Sequence, residues 1–351
     1  MKKRIFFILI VIISSLGLVF TGLTITALRI NSKAFGRIED PPYNRFQTYF
    51  TWKEIDQDKY SREELRFHSG RNKLQAFVYG GSNNRGLIII SHGLGNTAEN
   101  YLPMIMYFVD KGWRVFAFNN TGVSGSEGKG IRGLTQSLVD LDAALAYIEN
   151  SAAFNGLPVM LIGHSWGGFA VCAALNHNPQ VRAAVSFAGF NSCDEMINEV
   201  GVSSAGVAFY LISPQLWAIK RILFGNAAKL TAVDGINKAG IPVMIVQSSN
   251  DHVVSAKTTS IYAHRKKIIN PNVEIIYLDG ENATGHSYVF GSKKQHDYMS
   301  TANTGQSSEN AEHNNSLKSL WSEQANFDKA LANELDPELM ERIDRFFNSA
   351  R

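Results

Sequence analysis

The apolar positions along this chain change their period three times, and each change marks a different kind of structure. After Met1-Lys2-Lys3-Arg4 comes an uncharged, mostly apolar run from Ile5 to Leu28. As a helix rising ~1.5 Å per residue it would reach roughly 36 Å, enough to cross a bilayer. Residues 1–30 are therefore expected to form a transmembrane anchor or an uncleaved signal. A cleaved secretory signal is the alternative, but the run is long for one, the nearest small-x-small triplet is Thr24-Ile25-Thr26, and no Cys follows to take a lipid. Lys2, Lys3 and Arg4 favour a cytoplasmic N-terminus and an extracytoplasmic domain, an asymmetry that Arg29, Lys33 and Arg37 weaken.

Residues 31–58 mix charge, Pro41-Pro42 and aromatics without a period, and read as a juxtamembrane linker bracing the domain. Regular structure is expected over 59–351. Glu63–Ser69 and Leu74–Tyr79 form a predicted hairpin around Gly70 and Asn72. Short apolar runs then alternate with longer amphipathic ones. Leu87–Ser91, Arg114–Asn119, Val159–Gly163, Val181–Ala188, Val243–Gln247 and Val273–Leu278 are strand-like; Thr97–Lys111, Thr135–Asn150, Trp166–Asn178 and Ala256–Ile269 are helical candidates. Strands apolar at nearly every position are buried on both faces, so the fold class is α/β, with a mostly parallel central sheet and helices on both sides. A segment at about 191–240 and a polar one at about 291–316 interrupt the alternation; the second reads as a mobile surface insertion. A last helix, about Pro337–Phe347, follows the cap residue Asp336 and would turn Leu339, Ile343 and Phe346 inward.

Composition narrows the function. Formal charge is +3 from 34 basic and 31 acidic residues, with no basic stripe interleaved with aromatics, so nucleic acid is not an expected partner. The two cysteines, Cys172 and Cys193, sit in no Cys-x-x-Cys pair or zinc spacing and read as small core residues. No His-Glu-x-x-His or Asp-rich calcium loop suggests a metal, and no cofactor is expected.

The strongest chemical signal is Val159-Met-Leu-Ile-Gly-His-Ser-Trp-Gly-Gly168, a buried strand ending in Gly163-x-Ser165-x-Gly167 and running straight into a helix. A serine on such a turn lifts its hydroxyl clear of the backbone, the glycines remove side chains that would collide, and the new helix offers free amides to negative charge. The bare motif is common; its placement between a strand and a helix is what carries weight.

Here the chain resembles the α/β-hydrolase fold family over about Glu63 to Phe347, particularly its lysophospholipase, monoacylglycerol lipase and serine aminopeptidase-like branch. Ile88-Ile-Ile-Ser-His-Gly-Leu-Gly95 resembles the family's strand and His-Gly loop, which implies an oxyanion hole from the amides of Leu94 and Trp166; His92 itself reads as a turn residue ordering the loop, with direct proton transfer as the alternative. Phe118-Asn-Asn-Thr-Gly-Val-Ser-Gly-Ser-Glu-Gly128 resembles the loop after the next strand, usually Asp-x-Arg-Gly, but departs from it at Asn119 and Thr121 and so lacks its charges. The family order of nucleophile, acid and base implies Ser165, Asp251 and His286. Asp251 follows the strand Val243–Gln247, with Asp234 and Asp279 as competitors and a turn-capping role as the bland alternative. His286 lies in Gly285-His286-Ser287; His252, next to the acid, is expected to point elsewhere, and His264, His296 and His313 are expected to be solvated.

The resemblance implies a helical cap at 191–240. Phe209, Tyr210, Leu211, Trp217 and Phe224 would either line an acyl pocket or pack cap helices together. An anchor beside an apolar cap suits a lipid-like ester. A peptidase with the same triad and a binding protein that kept the fold but lost the activity are the competing expectations.

Overall fold

The runs that are apolar at every position become the middle of one eight-stranded sheet. The structure, a computed structural model, describes residues 2–39, 49–304 and 327–351. Strands β1 (Arg62–Ser69) and β2 (Asn72–Tyr79) form the hairpin, followed by β3 (Leu87–Ser91), β4 (Arg114–Phe118), β5 (Val159–His164), β6 (Val181–Phe187), β7 (Val243–Ser248) and β8 (Val273–Leu278). Their order across the sheet is β1-β2-β4-β3-β5-β6-β7-β8; β2 pairs antiparallel with β1 and β4, and every later pairing is parallel. Strands β3, β5 and β7 are buried throughout, whereas β8 at the edge is only partly covered.

Alternate side chains of each strand feed opposite cores, as the two-residue repeat requires. Ile89, Phe116, Phe118 and Leu161 pack with Leu138 and Leu141 of α3 (Gln136–Glu149) and Phe169 of α4 (Trp166–Ala174). Ile88, Ile90, Met160 and Ile162 meet Leu102 and Phe108 of α2 (Leu102–Asp110) on the other face. The parallel strands therefore all point their C-terminal ends to one rim, where an α/β sheet places its ligands.

Between β6 and β7 the chain leaves the sheet for α5 (Cys193–Ala205), a 3-10 stretch at Gly206–Leu211, α6 (Ser213–Phe224) and α7 (Ala232–Ala239). Helix α7 packs on α4, so this last part of the expected cap belongs to the body. Beyond β8 come α8 (Lys293–Thr304), α9 (Lys329–Ala332) and α10 (Pro337–Ser349). Residues 305–316 of the expected polar insertion lie outside the described residues, and the part before them is helical rather than irregular. The two arms around this segment meet at its root. Gly291 bridges Leu335, Ser292 N–H donates to Glu334 O at 3.0 Å, and Asp336 N–H donates to Phe290 O at 3.0 Å.

Four expectations need correction. Ala256–Ile269 is not an α-helix: Asn191 N–H donates to Thr259 O and Ile261 N–H to Gly189 O, so hydrogen bonds to the strand exit replace helical ones, leaving a 3-10 turn at Tyr262–Lys267. Helix α2 begins at Leu102 rather than Thr97 because Pro103 suits only a first turn. In α10 the fully buried aromatic is Phe347, not Phe346, since the inner stripe runs Leu339, Ile343, Phe347. His264 is not solvated; its Nε2 lies 3.1 Å from a Glu195 carboxylate oxygen, with only 14% of the side chain exposed.

The N-terminal helix α1 (Lys2–Ala34) runs past residue 30 into the expected linker, and its inner end packs against α6, burying Ala27. Among the described residues no single helix is long and apolar enough to cross a membrane; the side chains of residues 5 and 8–13, part of the apolar run, lie outside those described. The chain after α1 is stitched to the loop following β4. Gly36 bridges Gly130, Ile38 bridges Val123, and Arg37 donates to the carbonyls of Ser124, Ser126 and Gly128.

Candidate active site

The strand β5 ends at His164 and α4 starts at Trp166, leaving Ser165 alone to reverse the chain. It does so with φ 55°, outside the usual range for an L-residue. Its N–H donates to Phe187 O at 2.7 Å and its carbonyl accepts Phe169 N–H at 3.0 Å, which pins the turn to β6 and to the helix. The two motif glycines are required by contact: a Cβ on Gly163 would lie 2.1 Å from Gly167 O, and one on Gly167 1.9 Å from Ser91 O. The loop after β3 thus lies directly against the start of α4. Among the described residues neither the Leu94 nor the Trp166 amide has an intramolecular hydrogen-bond partner. Both remain able to donate to an external oxygen.

Ser165, His286 and Asp251 come together although 121 and 35 residues separate the pairs. His286 Nε2 stands 2.9 Å from Ser165 Oγ, and its Nδ1 stands 2.8 Å from Asp251 Oδ2. Asp251 also serves as a turn cap: Oδ1 accepts the N–H groups of Val253 at 2.9 Å and Val254 at 2.8 Å. Burial alone raises this carboxyl, but the hydrogen bond and charge of His286, with those two amides, hold it below the ordinary carboxylate range. The competitors stand elsewhere. Asp234 is exposed in the first turn of α7, and Asp279 caps its own turn at Gly280. His252 is exposed, His296 is part-covered on α8 beside Asp297, and His313 lies outside the described residues.

Several supporting residues escaped the sequence reading. Gln247 Nε2 donates to Asp251 Oδ2 at 3.1 Å and to Val254 O at 3.2 Å, fixing the acid from behind. Ser248 Oγ accepts the Thr284 and Gly285 amides at 3.0 and 3.1 Å, and Asn250 Oδ1 accepts Gly285 N–H at 2.7 Å. The polar run Ser248-Ser-Asn-Asp251 after a buried strand was their one visible signal. His92 orders its loop from inside: its Nδ1 faces Gly93 O at 2.8 Å and its Nε2 accepts Asn120 N–H at 3.1 Å. Full burial pushes its pKa down to about 4, keeping it neutral.

Where Asn119 and Thr121 replace charged residues, hydrogen bonds take over. Asp140, buried in α3, accepts Ser69 Oγ at 2.6 Å, Thr121 N–H at 2.7 Å, Thr121 Oγ1 at 2.9 Å and Gln136 Nε2 at 2.9 Å. Its pKa is nevertheless raised, because complete burial outweighs the four donors. Cys172 and Cys193 are buried free thiols, each pushed up to about 12 by desolvation, and are unreactive core residues.

Of the cap aromatics, Phe209 and Trp217 line a cavity of about 360 Å³ with Ile197, Pro214 and Leu216. Tyr210 and Leu211 instead face solvent, 58% and 63% exposed. Phe224 borders a separate cavity beside Gly133 and Arg132.

The sheet order, the strand-turn-helix at Ser165 and the helical excursion after β6 together define an α/β-hydrolase fold. Residues 82–222 match the model of the serine aminopeptidase S33 family. The curated YfhR proteins of Salmonella typhi and Salmonella typhimurium are each 24% identical over 213 residues, 57% of this chain and 65% of the relative, so the match falls short of two thirds of their length. Among solved structures, the Pyrococcus furiosus esterase Pf2001 superposes with TM-score 0.55 at 16% identity, covering 90% of this chain and 99% of its own. The Pyrococcus horikoshii acylaminoacyl peptidase gives TM-score 0.52 at 16% identity over 76% of this chain and 44% of its own.

Proposed function

We propose that this chain is a membrane-anchored serine hydrolase that cleaves carboxylic esters through an acyl-enzyme. The observation that carries the reading is the unbroken line from Ser165 Oγ through the His286 ring to the Asp251 carboxylate, at 2.9 and 2.8 Å. A serine hydroxyl is a weak nucleophile at neutral pH and needs such a base. His286 Nε2 takes the Ser165 proton as Oγ bonds to the acyl carbon. Asp251 holds Nδ1–H and steadies the imidazolium, and the Leu94 and Trp166 amides receive the oxyanion. The tetrahedral adduct expels the alcohol, which leaves with the proton from His286. Water then attacks the acyl-serine by the same route and releases the acid.

Two features favour an amphiphilic, lipid-like ester. The stretch between Glu199 and Lys220 carries no charge, yet Val200, Val207, Tyr210, Leu211 and Trp217 in it are more than half exposed. Helix α1 meets the same cap at α6, and its outer half exposes Leu16, Leu18, Val19 and Phe20, so an anchor there would hold the cap beside the bilayer. A peptidase reading is second, supported by the serine aminopeptidase family match and the acylaminoacyl peptidase likeness.

Purified full chain should take a fluorophosphonate at Ser165 and hydrolyse monoacylglycerols or lysophospholipids in a panel that also holds short esters and aminoacyl amides. Preference for the amides would transfer the proposal to the peptidase. Absence of both label and turnover would leave only a binding protein.

A further inference from the structure

Behind the triad, a second chain of hydrogen bonds joins two parts of the site that the mechanism needs at a fixed separation. Tyr101 ends the 3-10 turn Ala98–Tyr101 and is buried. Its hydroxyl accepts Gly93 N–H at 2.9 Å and Asn96 Nδ2 at 3.2 Å, and stands 2.9 Å from His164 Nδ1. On its other side, His164 Nε2 lies 3.0 Å from the main-chain oxygen of His286.

The proton positions follow by elimination. A phenol has one hydrogen to give and two lone pairs to receive with. Both of the latter meet N–H donors, so the Tyr101 hydrogen goes to His164 Nδ1. That ring nitrogen must then be bare, which places the ring proton on Nε2 and aims it at the His286 carbonyl. Burial agrees, pushing the His164 pKa down to about 3, so the ring stays neutral at any working pH. Every donor points the same way along the line, an arrangement in which each bond polarises the next. Phe290 covers it, with ring centroids 6.0 Å from Tyr101 and 5.4 Å from His164.

We propose that Tyr101 and His164 are positioning residues, which hold the Gly93–Leu94 loop and the backbone of His286 at one spacing across Ser165. The role rests on the serine-hydrolase reading above. Leu94, whose amide is one of the two free donors, directly follows the Gly93 amide that Tyr101 holds. The imidazole that serves Ser165 belongs to the same residue whose carbonyl His164 holds. Oxyanion donor and base are thereby tied to each other without passing through the nucleophile. Loss of the tie leaves all three triad members present but lets the two donors and the base drift apart, which weakens the transition state more than substrate binding.

The test uses the full chain in detergent, a short p-nitrophenyl ester, and the variants Tyr101→Phe, His164→Leu and His164→Gln. Tyr101→Phe should lower kcat about tenfold and His164→Leu by up to about a hundredfold, with KM within about twofold of wild type. His164→Gln can present an amide N–H near the place of Nε2, so it should recover much of what His164→Leu loses. A packing role would treat Gln and Leu alike. Values of kcat within about twofold of wild type for Tyr101→Phe and His164→Leu would overturn the proposal, as would a Gln variant no faster than Leu. Tyr101→Phe removes one oxygen only, which keeps the test decisive if His164→Leu does not fold. Wild-type labelling by the fluorophosphonate separates the failures: a labelled, active wild type with unaffected variants sinks this role alone, and an unlabelled, inactive wild type sinks the hydrolase with it.

Discussion

At Ser165 the left-handed backbone carries a strain of about 1–3 kcal/mol, which the Phe187 and Phe169 hydrogen bonds and the packed glycines hold in place. On the proposed mechanism the strained residue is also the nucleophile, so Ser165→Ala should leave the melting temperature near wild type while removing at least about a thousandfold of kcat. Turnover that persists in purified Ser165→Ala would assign the chemistry to another group. Asp251→Asn should cost on the order of a thousandfold or more, since an amide can present its N–H to the His286 nitrogen and turn the ring the wrong way. The same residue sets a pH signature. A carboxyl depressed in the folded state contributes stability above its unfolded value, and that contribution is lost as pH falls through the folded one. The stability gap between wild type and Asp251→Asn in urea melts should therefore be widest near neutrality and close below about pH 3.9. A gap that does not change with pH would contradict the assigned ionisation. Asp140 behaves differently, because its four donors demand an acceptor at every position. Replacing it by Asn turns an N–H toward Ser69, Thr121 or Gln136 and should destabilise the fold by about 1–3 kcal/mol in a denaturant melt.

The element that organises the site is the junction of β5 and α4, and it was legible because its two requirements are both written locally. An apolar strand and closely spaced glycines can be read without knowing what lies nearby. The close approach of Gly167 to Ser91 O gives a direct check: Gly167→Ala should destabilise by more than about 3 kcal/mol or prevent folding, as judged by far-ultraviolet circular dichroism. The order Ser165, Asp251, His286 was legible by resemblance, and the structure brings these residues within hydrogen-bond distance. The supports were not legible. Tyr101 reaches His164 across 63 residues and His164 reaches His286 across 122, and nothing in the local pattern of either partner announces the other. The failed helix at 256–269 has the same cause: its local apolar spacing was sound, but the strand exit at Gly189–Asn191 offered competing backbone partners. His264 was misjudged because its cover, Glu195, comes from α5, far back in the chain. Local pattern fixed the framework; contacts between distant segments determined the rest.

At the level of the whole molecule, the N-terminal segment is both an extension and a component of the domain. Arg37 and the bridges at Gly36 and Ile38 hold the loop whose Thr121 bonds Asp140. On the proposed anchored reading, the full chain should sediment with membranes and deletion of residues 2–23 should release it while sparing cleavage of a short soluble ester; deletion through residue 38 should also lower the melting temperature. Retention of the shorter deletion in membranes would place the attachment elsewhere. The opposite end of the sequence offers a different freedom. Gly291 to Ser292 and Glu334 to Asp336 fasten to each other, so the two arms are held together by contacts that lie outside residues 305–326. On the proposed function, a reporter domain spliced between those arms should therefore leave the rate on a short soluble ester near that of the unspliced chain.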